Sequence, residues 1–462
     1  MSGTLSSLQS ALSALRYQRV AIDNAASNVA NVGVEGYSRR RVTGETIGAP
    51  SVPAMWSRYT GPDGGVKTAG VLRLSDSLLE SRSRTENAKL SYLSTRATVL
   101  ARVESGVGEP GDSGVSAALA DFRATWDDLA NDPSSTAARG QVIASGAAVA
   151  DAFSAQAANI TSEEATQRLT VQGHVNDVNT IAAELADTNR AINAGRLDGT
   201  DTSSLYDTRD LLAKKLTTIT GGTATERADG GLDVSVGGVQ LVDGMKAGTL
   251  AVASGINPDG SADGSPVSYE ITLDATTTPL TQDLSGSLGA STELLNVTLP
   301  GYADDLATVA KDFADTVNAL HTSGFDQDGA AGLDFFTYDP TDPAGSLSVA
   351  VTERQVVASS TSGTLDGSIA DQLGASGDAE RAYQQLVSGL GTQVSSAKRL
   401  TDTQQLLTTQ VDTAKEQLSG VNLDEEMVDM VAAQRAYEAA ARVMSTVDDV
   451  LDTLINRTGL VR

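Results

Sequence analysis

The chain has 462 residues, enough for two to four domains that each bury a core. It contains no cysteine, which excludes disulfides and thiolate metal sites, and its two histidines, His174 and His321, lie far apart without ligand spacing. A formal net charge of −26, from 33 basic and 59 acidic residues, argues against nucleic acid or anionic lipid as a partner. No apolar run approaches the ~20 residues of a membrane span, so we predict no membrane insertion.

The N-terminal region is predicted to form a heptad helix. Residues Met1 to Leu5 lack the charged start and continuous apolar stretch of a cleavable secretion signal. Apolar residues then follow alternating three- and four-residue steps, the a/d pattern of a coiled-coil seam, which only Arg19 interrupts. The seam residues are Leu5, Leu8, Leu12, Leu15, Ile22, Ala26 and Val29.

Further helices are predicted after this segment. Apolar residues at helical spacing mark one helix over 90–107 and a second over 115–129, which Asn131-Asp132-Pro133 ends. Trp126 lies on the apolar stripe of the second helix and is predicted to be a core residue. A long helix with few breakers follows from about 136 to 193, and a shorter helix covers about 205 to 220.

The sequence period then changes from helical to alternating. Residues 232–241 alternate in polarity around Gly237-Gly238 and predict a β-hairpin, and residues 267–273 predict another strand. Helix returns from about 301 to 321. The stretch 323–377 is predicted to be irregular or extended, and a long helix follows from 378 towards 418.

The C-terminal region repeats the heptad pattern after a break at Ser419-Gly420. Two polar residues, Gln434 and Asp448, lie on the predicted seam, which consists of Leu423, Met427, Met430, Gln434, Tyr437, Ala441, Met444, Asp448, Leu451 and Ile455. The two heptad segments form either one coiled coil or two amphipathic helices that each pack on a separate globular domain.

Charge favours the pairing of the two ends. Between Met1 and Glu45 five basic and three acidic residues give a net charge of +2, whereas from Val421 to Arg462 eight acidic residues and four arginines give −4. Exposed ion pairs contribute only ~0–1 kcal/mol each, so this complementarity would guide register more than stability.

The predicted fold is mainly α with an inserted β-rich domain, and its N- and C-terminal helices pair as a coiled coil. We predict a terminal domain from 1–50 with 420–462 and a helical-bundle domain from 51–220 with 286–325 and 378–419. The inserted β domain is predicted to cover 221–285, and an extended or irregular segment 326–377.

Two motifs that could suggest ligand binding are interpreted as turns. Gly106 to Gly111 matches a dinucleotide-binding glycine pattern, but it follows a helix, and Pro110 removes an amide that would face phosphate. Asp326-Gln327-Asp328-Gly329 resembles the start of a calcium loop, but Ala330 and Thr337 occupy its positions five and twelve, so the full ligand set is absent. No nucleophile, histidine and acid form a signature, so we predict no enzyme and no catalytic, cofactor-binding or metal-binding residues.

The segment Ser27 to Arg39 carries a resemblance to a known family. A helix ends there in Asn and Gly residues and turns into a basic stretch. This segment resembles the N-terminal signature of flagellar rod, hook and hook-associated proteins, and Ser419 to Val443 is similar to the signature at their other end. The signature residues are Asn28, Asn31, Gly36, Tyr37 and Arg39.

Two inner stretches resemble the hook-associated members that join hook to filament. They run from Gly108-Glu109-Pro110 to Arg139 and from Leu299-Pro300-Gly301-Tyr302 to Asp334-Phe335-Phe336. The resemblance implies a structural subunit of the extracellular flagellum, passed unfolded through the type III export channel without a cleavable signal peptide. It also implies terminal helices in the tube core and a ring at the hook–filament junction.

The resemblance further implies a set of partners. These are other copies of the chain, the hook protein, the second hook–filament junction protein and an export chaperone, which we place at Met427, Met430, Tyr437 and Met444. Because Arg19 occupies an apolar seam position, we predict that it pairs with an acid of the C-terminal helix such as Asp448.

Other readings remain open at this stage. A hook protein or a flagellin-like axial subunit would share the terminal helices. A protein of a different class, a secreted adhesin or enzyme with coiled-coil ends, would need a functional set of residues within 221–377.

Overall fold

The computed structural model of the chain describes residues 2–47, 65–109, 111 and 114–453, and the side chains of helix α1 from Ser7 onward. The helices are α1 (Ser2–Ala30), α2 (Ser77–Val107), α3 (Val115–Asn131), α4 (Thr136–Asp198), α5 (Ser203–Thr220), α6 (Gly286–Glu293), α7 (Leu299–Thr322), α8 (Pro343–Ser346), α9 (Ser368–Ala375), α10 (Asp378–Ser419) and α11 (Leu423–Asp452). A π-helical turn, Leu294–Thr298, joins α6 to α7.

The strands form small antiparallel sheets. They are β1 (Arg40–Thr46), β2 (Val66–Arg73), β3 (Thr223–Glu226), β4 (Leu232–Val236), β5 (Val239–Asp243), β6 (Lys246–Ala247), β7 (Thr249–Ser254), β8 (Ser268–Leu273), β9 (Thr276–Pro279), β10 (Phe336–Thr337) and β11 (Ser348–Val349). The orders are β1-β2, β10-β11, β3-β4-β5-β6 and β7-β8-β9. The predicted mainly α fold class with an inserted β region is confirmed.

Local sequence explains where the helices begin and end. The side chain of Asp76 accepts hydrogen bonds from the backbone N–H groups of Leu78 and Leu79 and so caps the start of α2. Gly199 ends α4 in a left-handed conformation, with φ of 68°, that side chains other than glycine rarely adopt. The hairpin between β4 and β5 turns through Gly237 and Gly238, both with positive φ, as the Gly-Gly pair predicts.

Two long antiparallel helix pairs organise the chain. Helix α1 packs along α11, and helix α2 packs along α10. In the second pair, Glu80 near the start of α2 meets Lys415 near the end of α10, whereas Gln404 meets Glu86 further along α2. Because α10 runs back along α2, it returns the chain to the end of α1, where α11 begins.

A first hydrophobic core joins α3, α7, α9 and parts of α2, α4 and α10. Its centre is an aromatic cluster in which the Phe122 ring lies 5.5–5.9 Å from the rings of Trp126, Phe313, Phe335 and Phe336. Trp126 is fully buried there, as its position on the apolar stripe predicts. Edge-to-face contacts of this kind add to the apolar burial.

The stretch 326–377 contributes to this first core. It contains β10, α8, β11, a 3₁₀ turn at Glu353–Gln355 and α9, joined by irregular backbone. Phe335, Phe336, Val356 and Val357 are among its fully buried residues. The stretch is therefore extended in part but is packed against the helices.

A second core lies under the β insert. The C-terminal half of α4 packs with α5 and α6 against strands β4, β5, β7 and β8. Val234, Val236 and Leu241 point into it and are fully buried, which fits the alternation in the sequence. Helix α4 thus contributes residues to both cores, from Val142 to Ile160 in the first and from Val171 to Ala186 in the second.

His321 is a buried residue of the first core, and we expect it to make stability depend on pH. The Val357 N–H donates to its Nε2, so Nδ1 carries the proton and donates to the Leu333 carbonyl. Burial lowers the pKa of His321 from 6.5 to about 4. Between these values the unfolded state binds a proton that the folded state does not, so stability is lost as pH falls from 6.5 towards 4.

The shift in the pKa of His321 corresponds to about 3 kcal/mol of unfolding free energy lost between pH 7 and pH 4. The unfolding free energy, measured by urea unfolding across this range, should depend more steeply on pH for the wild type than for His321→Gln. Comparing the two slopes removes the contribution of the carboxylates. Equal slopes would contradict a role for this imidazole.

Candidate assembly site at the paired chain ends

The two ends of the chain meet through an antiparallel contact between α1 and α11. The Asn28 side chain, near the end of α1, bonds Glu426 in the first turn of α11. Leu8, Leu15, Ile22, Val29, Met430, Met444 and Leu451 of the predicted seam are half-buried, whereas Leu12, Leu423, Met427 and Tyr437 are exposed. The side chain of Leu5, and Ile455, lie outside the described residues.

The most buried positions of the two helices are displaced by one residue from the predicted seam. In α11 they are Glu426 and Ala433, next to the predicted Met427 and Gln434. In α1 they include Ala11 and Ala25. Alanines are therefore the most buried apolar residues of the pair, and the large apolar side chains are half-buried or exposed.

The signature residue Asn28 is the centre of a hydrogen-bond network and is fully buried. Its Nδ2 donates to Glu426 Oε2 and to the Arg40 carbonyl, both at 2.9 Å. Its Oδ1 accepts from the Tyr37 hydroxyl at 2.8 Å and from the Arg40 N–H at 3.1 Å. Because both ends of the amide are used, Asn28 joins the end of α1 to the following basic stretch and to α11.

The signature residue Arg39 connects the same stretch to the acidic start of α11. Its guanidinium lies 2.6 Å from both Glu425 and Glu426 and 3.5 Å from Asp429, and its backbone N–H donates to the Ser419 carbonyl. Burial alone would lower the pKa of Arg39, but its bonds to Glu425 and Glu426 outweigh this and raise the pKa. The complementary charges of the chain ends are thus paired here.

The two remaining signature residues have local roles. Gly36 has a φ of 82°, a conformation that favours glycine, and a Cβ there would make a tight contact of 3.2 Å with Leu211 of α5. The Asn31 amide donates to the Ser27 carbonyl of its own helix. The structure therefore brings Asn28, Tyr37 and Arg39 together, whereas Asn31 and Gly36 shape the turn.

A second set of ion pairs fixes the β1–β2 hairpin to α5. Asp207 lies 3.2 Å from Arg40 and 2.7 Å from Arg73, and Asp210 lies 2.7 Å from Arg73. Burial alone would raise the pKa of Asp210, but Arg209 and Arg73 outweigh it and lower the pKa. Nothing in the spacing of these residues along the sequence indicates this joint, because its members come from three separate elements.

The predicted ion pair between Arg19 and Asp448 does not form. The Asn28–Glu426 contact sets a register in which Asp448 lies near the level of residue 6 of α1. Arg19 is thirteen residues from that level, about 20 Å along a helix. Both side chains are exposed in the described part of the chain.

The residues that the structure describes contain no cluster of three or more His, Asp or Glu able to hold a metal ion. No helix among them is both long and apolar enough to cross a membrane. The site consists of helix faces, a buried amide and ion pairs, an arrangement suited to holding polypeptide segments together.

Comparisons with known proteins agree with this arrangement. The model of the flagellar hook-associated protein FlgK helical domain matches residues 100–336, and that of the flagellar basal body rod FlgEFG protein C-terminal region matches residues 417–457. Flagellar hook-associated protein 1 of Bacillus subtilis (strain 168) is 28% identical, over 100% of this chain and 99% of that protein. The Escherichia coli (strain K12) protein of the same name is 23% identical, over 97% and 99%.

A solved structure is also similar. The flagellar hook junction protein FlgK from Burkholderia pseudomallei matches with a TM-score of 0.50 and 23% identity, over 56% of this chain and 47% of that chain. The paired terminal helices and the helical middle region define the chain as a structural subunit of the flagellar axial class. Within that class, it belongs to the FlgK family of flagellar hook-associated protein 1, the structural proteins of the hook–filament junction.

Proposed function

We propose that copies of this chain form the ring that joins hook to filament, with the paired α1 and α11 helices in the tube core. On this proposal the domains are those predicted above: 1–50 with 420–462 inside, the helical domain around it, and the β insert 221–285 outside. The chain acts by assembly and not by catalysis, after type III export.

The observation that carries this proposal is an apolar surface left exposed on α11. The pairing with α1 covers the face around Ala433, and apolar side chains on the other faces remain in contact with solvent. Met427 is 59% exposed and Val428 is 68% exposed. The exposed apolar side chains of α11 are Leu423, Met427, Val428, Val431, Tyr437, Val443 and Val450.

Large apolar side chains exposed along one helix are typical of interaction sites. Packing between neighbouring copies would cover it and would add burial of about 25 cal/mol per Å² of apolar surface. The hook protein and the second junction protein would contact the two ends of such a ring. Before assembly, the export chaperone would cover the part around Met427, Met430, Tyr437 and Met444.

The proposal is tested by adding a charge to this surface. We expect Val428→Glu, expressed in cells that lack the wild-type chain, to be exported at normal level but to leave hooks without filaments, because Val428 is exposed on α11 and is not one of the four residues at which the chaperone is placed. The side chain is exposed in the free subunit, so folding should be unchanged, whereas a buried carboxylate between copies would be strongly unfavourable. Filaments are counted by electron microscopy, and export is measured by immunoblot of the medium.

The matched control is Leu197→Glu, which adds the same charge at an exposed leucine at the end of α4. This variant should assemble filaments normally. Normal filaments with Val428→Glu would contradict the proposal. Retention of Val428→Glu inside the cell would also count against it, because the defect would then lie in export.

A further inference from the structure

Helix α1, strands β1 and β2 and helix α11 form a terminal unit that lies outside both hydrophobic cores. Among the residues that the structure describes, neither core includes one from these four elements. The terminal unit has contacts of its own, because α1 packs along α11 and also against both strands of the hairpin. Its position relative to the rest of the chain is therefore not set by a shared apolar core.

The β1–β2 hairpin is fixed to α1 within this terminal unit. The Asn24 and Asn28 side chains both donate to the Arg40 carbonyl, at 2.8 and 2.9 Å. At the other end of the hairpin, the Val66 N–H donates to the Ser13 hydroxyl at 3.1 Å. A contact that holds the hairpin to the rest of the chain therefore holds the whole terminal unit.

Asp207 of α5 makes such a contact with both strands of the hairpin. Its carboxylate lies 3.2 Å from the guanidinium of Arg40 on β1 and 2.7 Å from that of Arg73 on β2. The Asp207 side chain is 10% exposed, and those of Arg40 and Arg73 are 15% and 11% exposed, so solvent screens these ion pairs little. Because the two bonds go to two different strands, they fix a direction as well as a point of attachment.

Helix α5 is a firm support for Asp207. Its Leu212 and Leu216 are buried in the second core, and the helix also packs against α2 and α4. Asp210, one turn after Asp207, lies 2.7 Å from the same Arg73. This second acid orients the Arg73 guanidinium, which therefore meets Asp207 in a fixed geometry.

The joint between the terminal unit and α5 is not closed by apolar packing. A groove of about 310 Å³ lies between the turn at 31–37 and the first turns of α5. Val34 borders this groove and is 54% exposed. Relative motion is the ordinary behaviour of two parts of a chain unless a large hydrophobic interface joins them. The ion pairs of Asp207 are therefore well placed to restrict that motion.

We propose that Asp207 is a positioning residue that fixes the direction of the terminal unit relative to α5 and the two cores. Without its charge, Arg40 and Arg73 each lose a buried carboxylate partner. The terminal unit would then stay folded but take a range of angles. With the joint intact, every copy presents the α11 surface to its neighbours at one angle. This last step rests on the proposed ring, whereas the positioning itself does not.

The direct test measures distances in the free full-length chain. Because the chain has no cysteine, Ala183→Cys in α4 and Ala439→Cys in α11, both at exposed positions, place spin labels at these two sites alone. Double electron–electron resonance should give a narrow distance distribution when Asp207 is present and a broad one in Asp207→Asn. A second label pair, Ala183→Cys with Ser395→Cys in α10, lies outside the terminal unit and should give the same narrow distribution in both.

Two variants control the distance measurement. Asp207→Glu keeps the charge and should keep the narrow distribution. Glu163→Gln removes the acid of an ion pair with Arg102 that lies outside the terminal unit, and it should also leave the distribution unchanged. A narrow distribution in Asp207→Asn, or a broad one when Asp207 is present, would overturn the proposal. Equal broadening in Asp207→Asn and in either control would also overturn it.

Filament counts in cells test the consequence for assembly. We expect Asp207→Asn to be exported at normal level with few filaments, whereas Glu163→Gln should assemble filaments normally. Normal filaments together with a broad distance distribution would overturn the step from positioning to assembly and would leave the positioning role established. Val428→Glu tests the ring independently, so failure of the ring proposal leaves the distance result unaffected.

Discussion

Replacing Arg39 with alanine is expected to destabilise the pairing of the chain ends by about 3–5 kcal/mol. The reason is Glu426, whose side chain is almost fully buried and depends on Arg39 for its charge partner. Removing one member of a buried ion pair leaves an uncompensated charge, which costs more than the pair itself contributes. Hydrogen exchange of the α1 and α11 amides should report the loss as reduced protection, while α4 stays protected.

The control for this prediction is Arg41→Ala, because Arg41 is exposed and only two residues away. The Arg41→Ala variant should change the hydrogen-exchange protection of the α1 and α11 amides little. The double variant Arg39→Ala with Glu426→Gln should recover part of the lost stability, because the buried charge is then absent. Equal effects of Arg39→Ala and Arg41→Ala, or no recovery in the double variant, would show that this ion pair does not hold the ends together.

A comparably large effect is expected from Phe122→Ala, at the centre of the first core. The ring is surrounded by Trp126, Phe313, Phe335 and Phe336, and the neighbouring helices cannot fully collapse into the space that it leaves. Substitutions of this kind cost about 3–5 kcal/mol. Urea unfolding followed by circular dichroism measures the change in unfolding free energy.

Two comparisons control the Phe122 result. Phe122→Leu should cost clearly less, because it leaves a smaller cavity, and Leu197→Ala at an exposed position should cost almost nothing. If Phe122→Ala and Phe122→Leu were equally destabilised, the loss would come from ring contacts and not from the cavity.

Much of the fold could be predicted from the sequence because its helices are long and regular. The ends of α4, α5, α7 and α10 lie within a few residues of the predicted limits, and the strongest signals were glycine caps and breaks in period. The contribution of 326–377 to the first core was harder to see. Phe335 and Phe336 were the available signal, because adjacent aromatic residues seldom occur in a solvated loop of that length.

The candidate site was predictable only in part. The signature drew attention to Asn28, Tyr37 and Arg39, but their hydrogen bonds depend on how α11 lies beside α1. The apolar pattern followed the largest side chains, whereas the most buried apolar residues of the pair are alanines such as Ala25 and Ala433, which carry little signal in a hydrophobic pattern. The register of α1 against α11 could not be predicted either, because a heptad repeat alone does not decide which residues of two antiparallel helices face each other.

Helix α4 has a mechanical consequence. Its 63 residues form one rod of about 95 Å, without proline, whose two halves are embedded in different hydrophobic cores. The β insert therefore cannot swing about a hinge at this helix, and a twisting load applied to the β insert is carried directly into the first core. In a rotating tube, such a subunit would transmit torque as a stiff lever. Any flexibility between hook and filament would then have to lie in the contacts between subunits.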